Sequence, residues 1–331
     1  MLDKKLKLNP KIFDKDVERI PTRDGYGKGL VAAGEKDERI VVLCADLTES
    51  TRSHWFAEKF PERFIEMGVA EQNMATVAAG LANYGKIPFI SSYATFSPGR
   101  NNEQIRTTIC INNVPVKIAG AHAGISVGPD GATHQALEDI ALMRALPRMT
   151  VLVPCDALEA EKATIAAAQT GGPVYIRFGR EKSPVITTID TPFEIGKAQI
   201  FREGKDAAIV VSGMLLYNGL TAAEELAKEG IEARVINNPS VKPLDEKTLI
   251  TAAREMGAVV TVEEHQIHGG MGSAVAELLA TSFPVPMEFI GVKDRFGESG
   301  EPEELIEKFG LGKDTIKEAV RRVIRRKKIM K

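Results

Sequence analysis

Short apolar runs alternate with amphipathic segments along most of this chain, and this alternation limits the folds it can adopt. Strands are predicted at residues 39–44, 114–120, 150–153, 173–177, 207–212, 232–236, 258–262 and 286–290. Helical periodicity lies between them, at 69–84, 136–145, 157–169, 215–229, 245–256 and 272–279. Strands that alternate with helices at this spacing indicate βαβ units and therefore an α/β fold with mostly parallel sheets.

The length of 331 residues fits two such domains. Residues 181–195 are rich in Pro, Thr and Ser and show no helical periodicity, which is typical of a linker with an edge segment. We therefore predict two α/β domains, residues 1–185 and 186–331. Each should contain a mainly parallel sheet flanked by helices.

Composition excludes several classes of protein. The net charge of −2 does not allow a chain-wide basic surface for nucleic acid. Cys44, Cys110 and Cys155 lie far apart without a C-x-x-C pair, so we predict neither a disulfide framework nor a metal site. Unpaired cysteines of this kind indicate a reducing compartment. No signal peptide and no apolar run of 18 residues is present. We expect a cytoplasmic protein with no nucleic-acid or membrane partner.

The C-terminal segment 303–331 predicts two short helices and ends in the basic run RRVIRRKKIMK. Such a run can contact nucleic acid or a membrane. We favour the alternative that Leu311, Val320 and Ile324 pack on the domain while the basic side chains satisfy the helix C-terminus.

A polar, glycine-rich loop, GAHAGISVGPDGATHQ, follows a predicted strand and precedes a helix. Loops at the carboxyl ends of parallel strands bind ligands in open α/β sheets. His122, Asp130 and His134 supply donors and acceptors for a polyhydroxylated or phosphorylated substrate. Their spacing matches no common zinc-ligand pattern. We favour a substrate site over a metal site or a merely loop-stabilising role.

Glu71 lies on a helix of small apolar residues, in EMGVAEQNMATVAAGLANYG. No Lys or Arg stands three or four positions away, so the helix itself offers no ion-pair partner. The carboxyl group is then either partly buried with a raised pKa, hydrogen-bonded by a residue from elsewhere, or placed by the helix dipole. These alternatives stay open at this point.

Other polar candidates follow predicted strands or precede helices. Arg177 and Arg180 in RFGREK suit capture of a phosphate or carboxylate, or else surface ion pairs. Arg23 and Ser50 are weaker candidates of the same kind. GGMGSAV lacks the third glycine of a dinucleotide loop and predicts a tight strand-to-helix turn instead, and neither a P-loop nor a G-x-S-x-G motif occurs.

The segment FIEMGVAEQNMATVAAGLANYGKIPFISSYATF resembles the pyrimidine-binding domain of transketolases. The resemblance continues through CADLTES, AHAGISVGPDGATHQALEDIALMRALP, YIRFGREKSP, NPSVKPLD and EEHQIHGGMGSAVAEL to the tail FGESGEPEELIEKFGL. It implies a pyrimidine-binding fold followed by a transketolase C-terminal domain. The implied reaction moves a two-carbon ketol unit from a ketose phosphate to an aldose phosphate with thiamine diphosphate.

The resemblance also implies roles for individual residues. Glu71 would hydrogen-bond the pyrimidine ring of the cofactor, with Phe96 stacked on that ring and Tyr93 lining the same pocket. The remaining residues would contact the sugar phosphate: Arg23, Ser50, His122 and Arg180 its phosphate group, Asp130 and His134 its hydroxyls. Glu71, His122 and His134 would be catalytic.

A second chain is implied as well. Full-length relatives hold the diphosphate and Mg²⁺ through a G-D-G motif and a later Asn-Asn pair, and no G-D-G occurs here. The resemblance therefore implies the C-terminal subunit of a split transketolase, with Mg²⁺ held by an N-terminal diphosphate-binding subunit, in an α2β2 heterotetramer. The alternatives are a deoxyxylulose-phosphate synthase-like enzyme, a 2-oxo acid dehydrogenase beta subunit, or a non-catalytic regulatory subunit.

Overall fold

The computed structural model describes residues 2–329, and the first domain is an α/β unit. Its strands are β1 Arg19–Pro21, β2 Ile40–Cys44, β3 Phe64–Glu66, β4 Ile87–Tyr93, β5 Lys117–Ala121, β6 Thr150–Leu152, β7 Val174–Arg177 and β8 Lys182–Pro184. Its helices are α1 Thr22–Lys36, α2 His54–Lys59, α3 Glu71–Asn83, α4 Asn102–Gln104, α5 Asp139–Ala145 and α6 Ala157–Ala168. A π-helical segment, Ile105–Cys110, continues α4.

The second domain repeats this α/β arrangement. Its strands are β9 Gln199–Arg202, β10 Ala207–Val211, β11 Ala233–Asn237, β12 Ser240–Lys242, β13 Val259–Gln266 and β14 Met287–Val292. Its helices are α7 Leu216–Lys228, α8 Glu246–Met256, α9 Met271–Ser282, α10 Pro302–Lys308 and α11 Lys313–Ile329. All the predicted strands and helices form, with their ends shifted by a few residues.

Both main sheets are largely parallel, as predicted. The first has seven strands in the order β12-β6-β7-β5-β4-β2-β3, in which only β12 runs antiparallel. The second has five strands in the order β14-β13-β10-β11-β9, with β9 antiparallel at one edge. Fully buried strands such as β2 and β10 explain the continuous apolar runs in the sequence.

Several features of the domains differ from the sequence prediction, which also did not include the short strands β1, β3 and β9. Strand β4 was not predicted, because Pro88 and two buried serines interrupt its apolar pattern. Strand β12 belongs to the second half of the sequence but pairs with the first sheet. Near the N-terminus, Ile12 packs into the core of the second domain. The boundary between residues 185 and 186 stays a prediction, with β8 just before it pairing with β1.

The C-terminal segment packs on the second domain. Leu311 and Val320 are fully buried and Ile324 is partly buried, as favoured from the sequence. Its second helix, α11, is longer than expected, with 17 residues. Several of its basic side chains form ion pairs with acidic side chains on α7, directly after α7 and on β14: Lys317 with Glu225, Arg321 with Glu229, and Arg322 and Arg326 with Glu288. Within residues 2–329, no helix combines the length and apolar composition needed to cross a membrane.

Candidate active site

The predicted site residues converge at one edge of the first sheet. Strands β7, β5, β4 and β2 are neighbours, and their carboxyl ends meet there. Tyr93 ends β4, His122 directly follows β5, and Arg180 lies just beyond β7. Arg23 lies in the first turn of α1 and reaches the loop after β2, where its Nη1 donates to the Ser50 carbonyl oxygen at 3.1 Å. Ligand sites of open α/β sheets occupy this position.

Four side-chain rings lie in contact at the site: those of Tyr93, Phe96, His122 and His134. The rings of Tyr93 and His122 are 4.0 Å apart between centroids, and Tyr93 stacks with Phe96 at 5.9 Å. His134 meets Phe96 edge-on at 5.4 Å, and its Nδ1 lies 2.9 Å from the Thr133 hydroxyl oxygen. The two predicted aromatic residues and the two predicted histidines are therefore in mutual contact.

A cationic group borders these rings. Arg23 Nη1 lies 3.4 Å from His122 Nε2, and Arg180 Nη1 lies 3.3 Å from a carboxylate oxygen of Asp130. We call Arg23, Arg180 and His122 the anion pocket. Arg52, which has no distinguishing local pattern in the sequence, adds a third guanidinium nearby and is held by Asp24 at 2.6 Å. The positive potential of these groups suits a phosphate or sulfonate.

His122 is neutral in this environment. It is 1 % exposed, and burial, followed by the charges of Arg23 and Arg180, lowers its pKa to about 3. Because a guanidinium can only donate, His122 Nε2 is the acceptor and the ring proton lies on Nδ1. That buried Nδ1 has no hydrogen-bond partner among residues 2–329, which leaves a donor free for a ligand. Its backbone φ of +51° is in the left-handed region, a strained conformation that clusters at functional sites.

Glu71 begins α3 and finds its partner elsewhere in the chain, which decides among the alternatives left open by the sequence. Its side chain is 5 % exposed, and Arg100 Nη1 contacts both carboxylate oxygens, at 3.1 and 3.3 Å. The same guanidinium lies over the ring of Phe96, with Cζ 4.2 Å from the ring centroid. We call the space bounded by Glu71 and Phe96 the ring site.

The ring site fits the aminopyrimidine that the resemblance implies. The Arg100 guanidinium is flat, carries N–H donors in its plane, and satisfies the buried carboxylate of Glu71 while it covers an aromatic face. An aminopyrimidine offers the same combination of a flat ring and N–H groups. The residues present are therefore suited to hold that ring.

The structure changes the assignment of two arginines: Arg177 does not bind an anion, and Arg100 joins the site. Arg177, predicted beside Arg180 as an anion-binding candidate, is buried and pairs with Asp139 at 2.8 Å, so its charge is already compensated. Arg100 was missed as a site residue because its partner Glu71 is 29 positions away in the sequence. The available signal was an arginine four residues after Phe96, in the segment Ser97-Pro-Gly-Arg100.

Two domain families of known proteins match this chain and define its protein class. The pyrimidine-binding domain of transketolase matches residues 18–185, and the transketolase C-terminal domain matches residues 196–316. Two mainly parallel α/β domains in this order are those of the transketolase pyrimidine-binding and C-terminal domains. The chain belongs to the transketolase family, and the predicted resemblance is confirmed.

Individual relatives show that this chain corresponds to the C-terminal section of full-length family members. A putative transketolase C-terminal section from Methanocaldococcus jannaschii is 44 % identical over 89 % of this chain and 93 % of its own length. The 6-deoxy-6-sulfo-D-fructose transketolase subunit of a Clostridium species is 41 % identical over 95 % of this chain and 98 % of its own. Human transketolase is 38 % identical over 93 % of this chain but only 49 % of its own length.

A solved structure shows the same correspondence. A split-gene transketolase, described as an inactive β4 tetramer, is 48 % identical and superimposes with a TM-score of 0.86 over 92 % of this chain and 98 % of its own. The description of that protein as inactive applies to an assembly of its beta chains.

Proposed function

We propose that this chain is the C-terminal subunit of a thiamine-diphosphate-dependent transketolase. With a separate diphosphate-binding subunit, it would transfer a two-carbon ketol unit from a ketose phosphate to an aldose phosphate in the cytoplasm. The observation that supports this most directly is the continuous run of contacts from the ring site to the anion pocket. It passes from Glu71 through the Arg100 guanidinium to Phe96, and from there through Tyr93 to His122 and Arg23.

Thiamine diphosphate, when bound, would supply an electron sink for the two-carbon unit. Glu71 would hydrogen-bond a nitrogen of the pyrimidine ring from a position fixed by α3. Phe96 and Tyr93 would pack against that ring and keep water from it. No basic residue of α3 competes for the Glu71 carboxylate, so its partners come from outside this helix.

The substrate would lie along the four rings with its charged end in the anion pocket. Arg23 and Arg180 would neutralise the charge of the phosphate group, and the unpartnered Nδ1–H of His122 would add a neutral donor. Ser50 contributes its carbonyl oxygen, which orients Arg23. Asp130 and His134 would bind substrate hydroxyls, and His134 would hold or move a proton at those oxygens.

The partner in this proposal is an N-terminal subunit that holds the diphosphate and Mg²⁺, in an α2β2 assembly. Co-expression with a chain that carries the G-D-G and Asn-Asn motifs should give ketol transfer between pentose phosphates, dependent on thiamine diphosphate and Mg²⁺. Either chain alone should be inactive. Full activity of this chain by itself would contradict the split-subunit proposal.

Glu71→Ala should abolish turnover in the reconstituted complex, with a loss of at least about a hundredfold in kcat. Size-exclusion chromatography should show that the complex still assembles. Glu62→Ala removes an exposed carboxylate of the same domain and serves as the matched control with unchanged turnover. Retained activity in Glu71→Ala would contradict the role given to this residue.

The anion at the end of the substrate is a second question. The anion pocket supports phosphate, but a relative 41 % identical to this chain is named for a 6-deoxy-6-sulfo-fructose substrate. Kinetic comparison of fructose 6-phosphate with 6-deoxy-6-sulfo-fructose as donors would separate the two. A preference for the phosphate donor is expected, because the charges of Arg23, Arg180 and Arg52 act at His122 and phosphate carries more charge than sulfonate.

A further inference from the structure

We infer that Arg100 controls access to the ring site: in the unassembled chain its guanidinium fills the space between Glu71 and Phe96, and a bound ring must displace it. The inference rests on the proposed function, because it takes the aminopyrimidine as the ring that enters. It adds a residue that decides how readily this chain accepts its cofactor. The chemical class that competes for the site is a flat N–H donor, such as a guanidinium, an amidine or an aminopyrimidine.

Arg100 meets both groups that bound the site at once. Its Nη1 donates to both oxygens of Glu71, at 3.1 and 3.3 Å, and its Cζ lies 4.2 Å from the centroid of Phe96. A ring cannot hydrogen-bond Glu71 and cover this face of Phe96 while the guanidinium stays there. The two ligands are therefore mutually exclusive.

The exposure of the pair indicates which partner moves. The Arg100 side chain is 51 % exposed, whereas that of Glu71 is 5 % exposed. The backbone beside them is fixed, because the Asn101 side-chain amide donates to the Glu71 carbonyl oxygen and to the Ser97 hydroxyl, both at 3.1 Å. Rotation of the Arg100 side chain into solvent is thus sufficient to open the ring site.

The arginine also has a role before assembly. A buried carboxylate without a partner destabilises a fold, and Arg100 supplies donors to both oxygens of Glu71 until the ring replaces it. The same contact lowers the apparent affinity for the cofactor, because only the fraction of molecules with Arg100 displaced can bind. Removal of the guanidinium should therefore weaken the chain alone and strengthen cofactor binding, two effects of opposite sign.

The first test measures thiamine diphosphate binding to the reconstituted complex by calorimetry. Arg100→Met keeps the apolar stem over Phe96 and removes the donors, and we expect about fivefold to tenfold tighter binding than in the wild-type complex. Arg321→Met removes another bidentate arginine–glutamate pair, on the surface of α11, and should leave the affinity unchanged. Unchanged or weaker binding in Arg100→Met would overturn the inference. Absence of binding in the wild-type complex would instead contradict the proposed function, and this inference with it.

The second test needs neither partner nor cofactor. Arg100→Ala in the isolated chain should lower the thermal midpoint, and millimolar guanidinium or 4-amino-2-methylpyrimidine should restore part of the loss. The same additions should not stabilise the wild-type chain or Arg321→Met. A lowered midpoint that neither compound restores would show that Arg100 only supports the fold and would overturn its assignment to the ring site.

Discussion

Burial favours the neutral form of two ionisable side chains, His122 and Glu159. It lowers the pKa of the histidine and raises the pKa of the carboxyl group. His122 is neutral because burial lowers its pKa to about 3, and Glu159 is protonated over part of the physiological range because burial and the charge of Asp156 raise its pKa to about 7. Glu159 accepts from the Cys155 backbone N–H and from the Asn237 side-chain amide, both at 2.7 Å. Since Asn237 belongs to β11, this carboxyl group links the two domains.

The raised pKa of Glu159 predicts a pH-dependent stability. The folded chain retains this proton up to about pH 7, whereas the unfolded chain loses it near pH 4.3, so the free energy of unfolding falls as pH rises between these values. Glu159→Gln cannot ionise and should remove this dependence, with a gain on the order of 3 kcal/mol at about pH 8. Rotation of the Asn237 amide, whose Oδ1 has no partner in the described part of the chain, would accommodate the new N–H₂.

Urea unfolding between about pH 5 and pH 8 measures this effect. Glu58→Gln, an exposed carboxylate of α2, is the control and should follow the wild-type profile. A Glu159→Gln profile parallel to that of the wild type would contradict the assigned pKa.

The site was predictable from the sequence wherever a residue's own neighbours in the chain reveal its environment. Glu71 stood out because its helix is apolar, and His122 and His134 because they flank one glycine-rich loop. Arg52 and Arg100 could not be selected in this way, since each is defined by a partner more than twenty positions away. The local sequence places Arg100 four residues after Phe96 but does not specify its pairing with Glu71, and the pairing of Arg52 with Asp24 is likewise not specified by its neighbours.

At the level of elements, strands and helices with uniform apolar patterns were predicted and irregular ones were missed. Strand β2 is a run of buried apolar residues, while β4 contains Pro88 and Ser91, whose hydroxyl oxygen lies 2.7 Å from the Tyr26 hydroxyl. Strand β12 is short and pairs across the domain boundary. The turn at residues 269–270 was predicted as a strand-to-helix turn, and the structure confirms it between β13 and α9.

That turn depends on Glu263, whose buried carboxylate accepts from the backbone N–H groups of Met271 and Gly272 at 2.7 and 2.8 Å. Glu263→Ala leaves these donors at the start of α9 without a partner and should destabilise the chain by about 2–4 kcal/mol. Urea unfolding measures the loss. Glu277→Ala removes an exposed carboxylate of the same helix that pairs with Arg144 and should cost less than about 1 kcal/mol. Equal effects of the two substitutions would contradict the capping role.

For the whole molecule, the two domains are joined by buried polar groups as well as by apolar contacts. Arg177 at the end of β7 donates to the Asp139 carboxylate at 2.8 Å and to the Glu264 carbonyl oxygen of β13, also at 2.8 Å. Tyr175 donates to the same Asp139 oxygen at 2.6 Å. The network lies on β7, the neighbour of β5, and His122 of the anion pocket directly follows β5.

Arg177→Met should uncouple the domains. It removes the donor to Glu264 and leaves the Asp139 charge buried without its cation, a loss of about 3–5 kcal/mol. We expect one calorimetric transition for the wild-type chain and two for Arg177→Met, with one domain unfolding before the other. Asp139→Asn in the Arg177→Met background removes the uncompensated charge and should recover part of the stability but not the coupling, because the contact with Glu264 stays absent.

Arg325→Met, at an exposed position of α11, controls for the loss of a guanidinium. A single transition in Arg177→Met, at the wild-type midpoint, would show that apolar packing alone joins the domains.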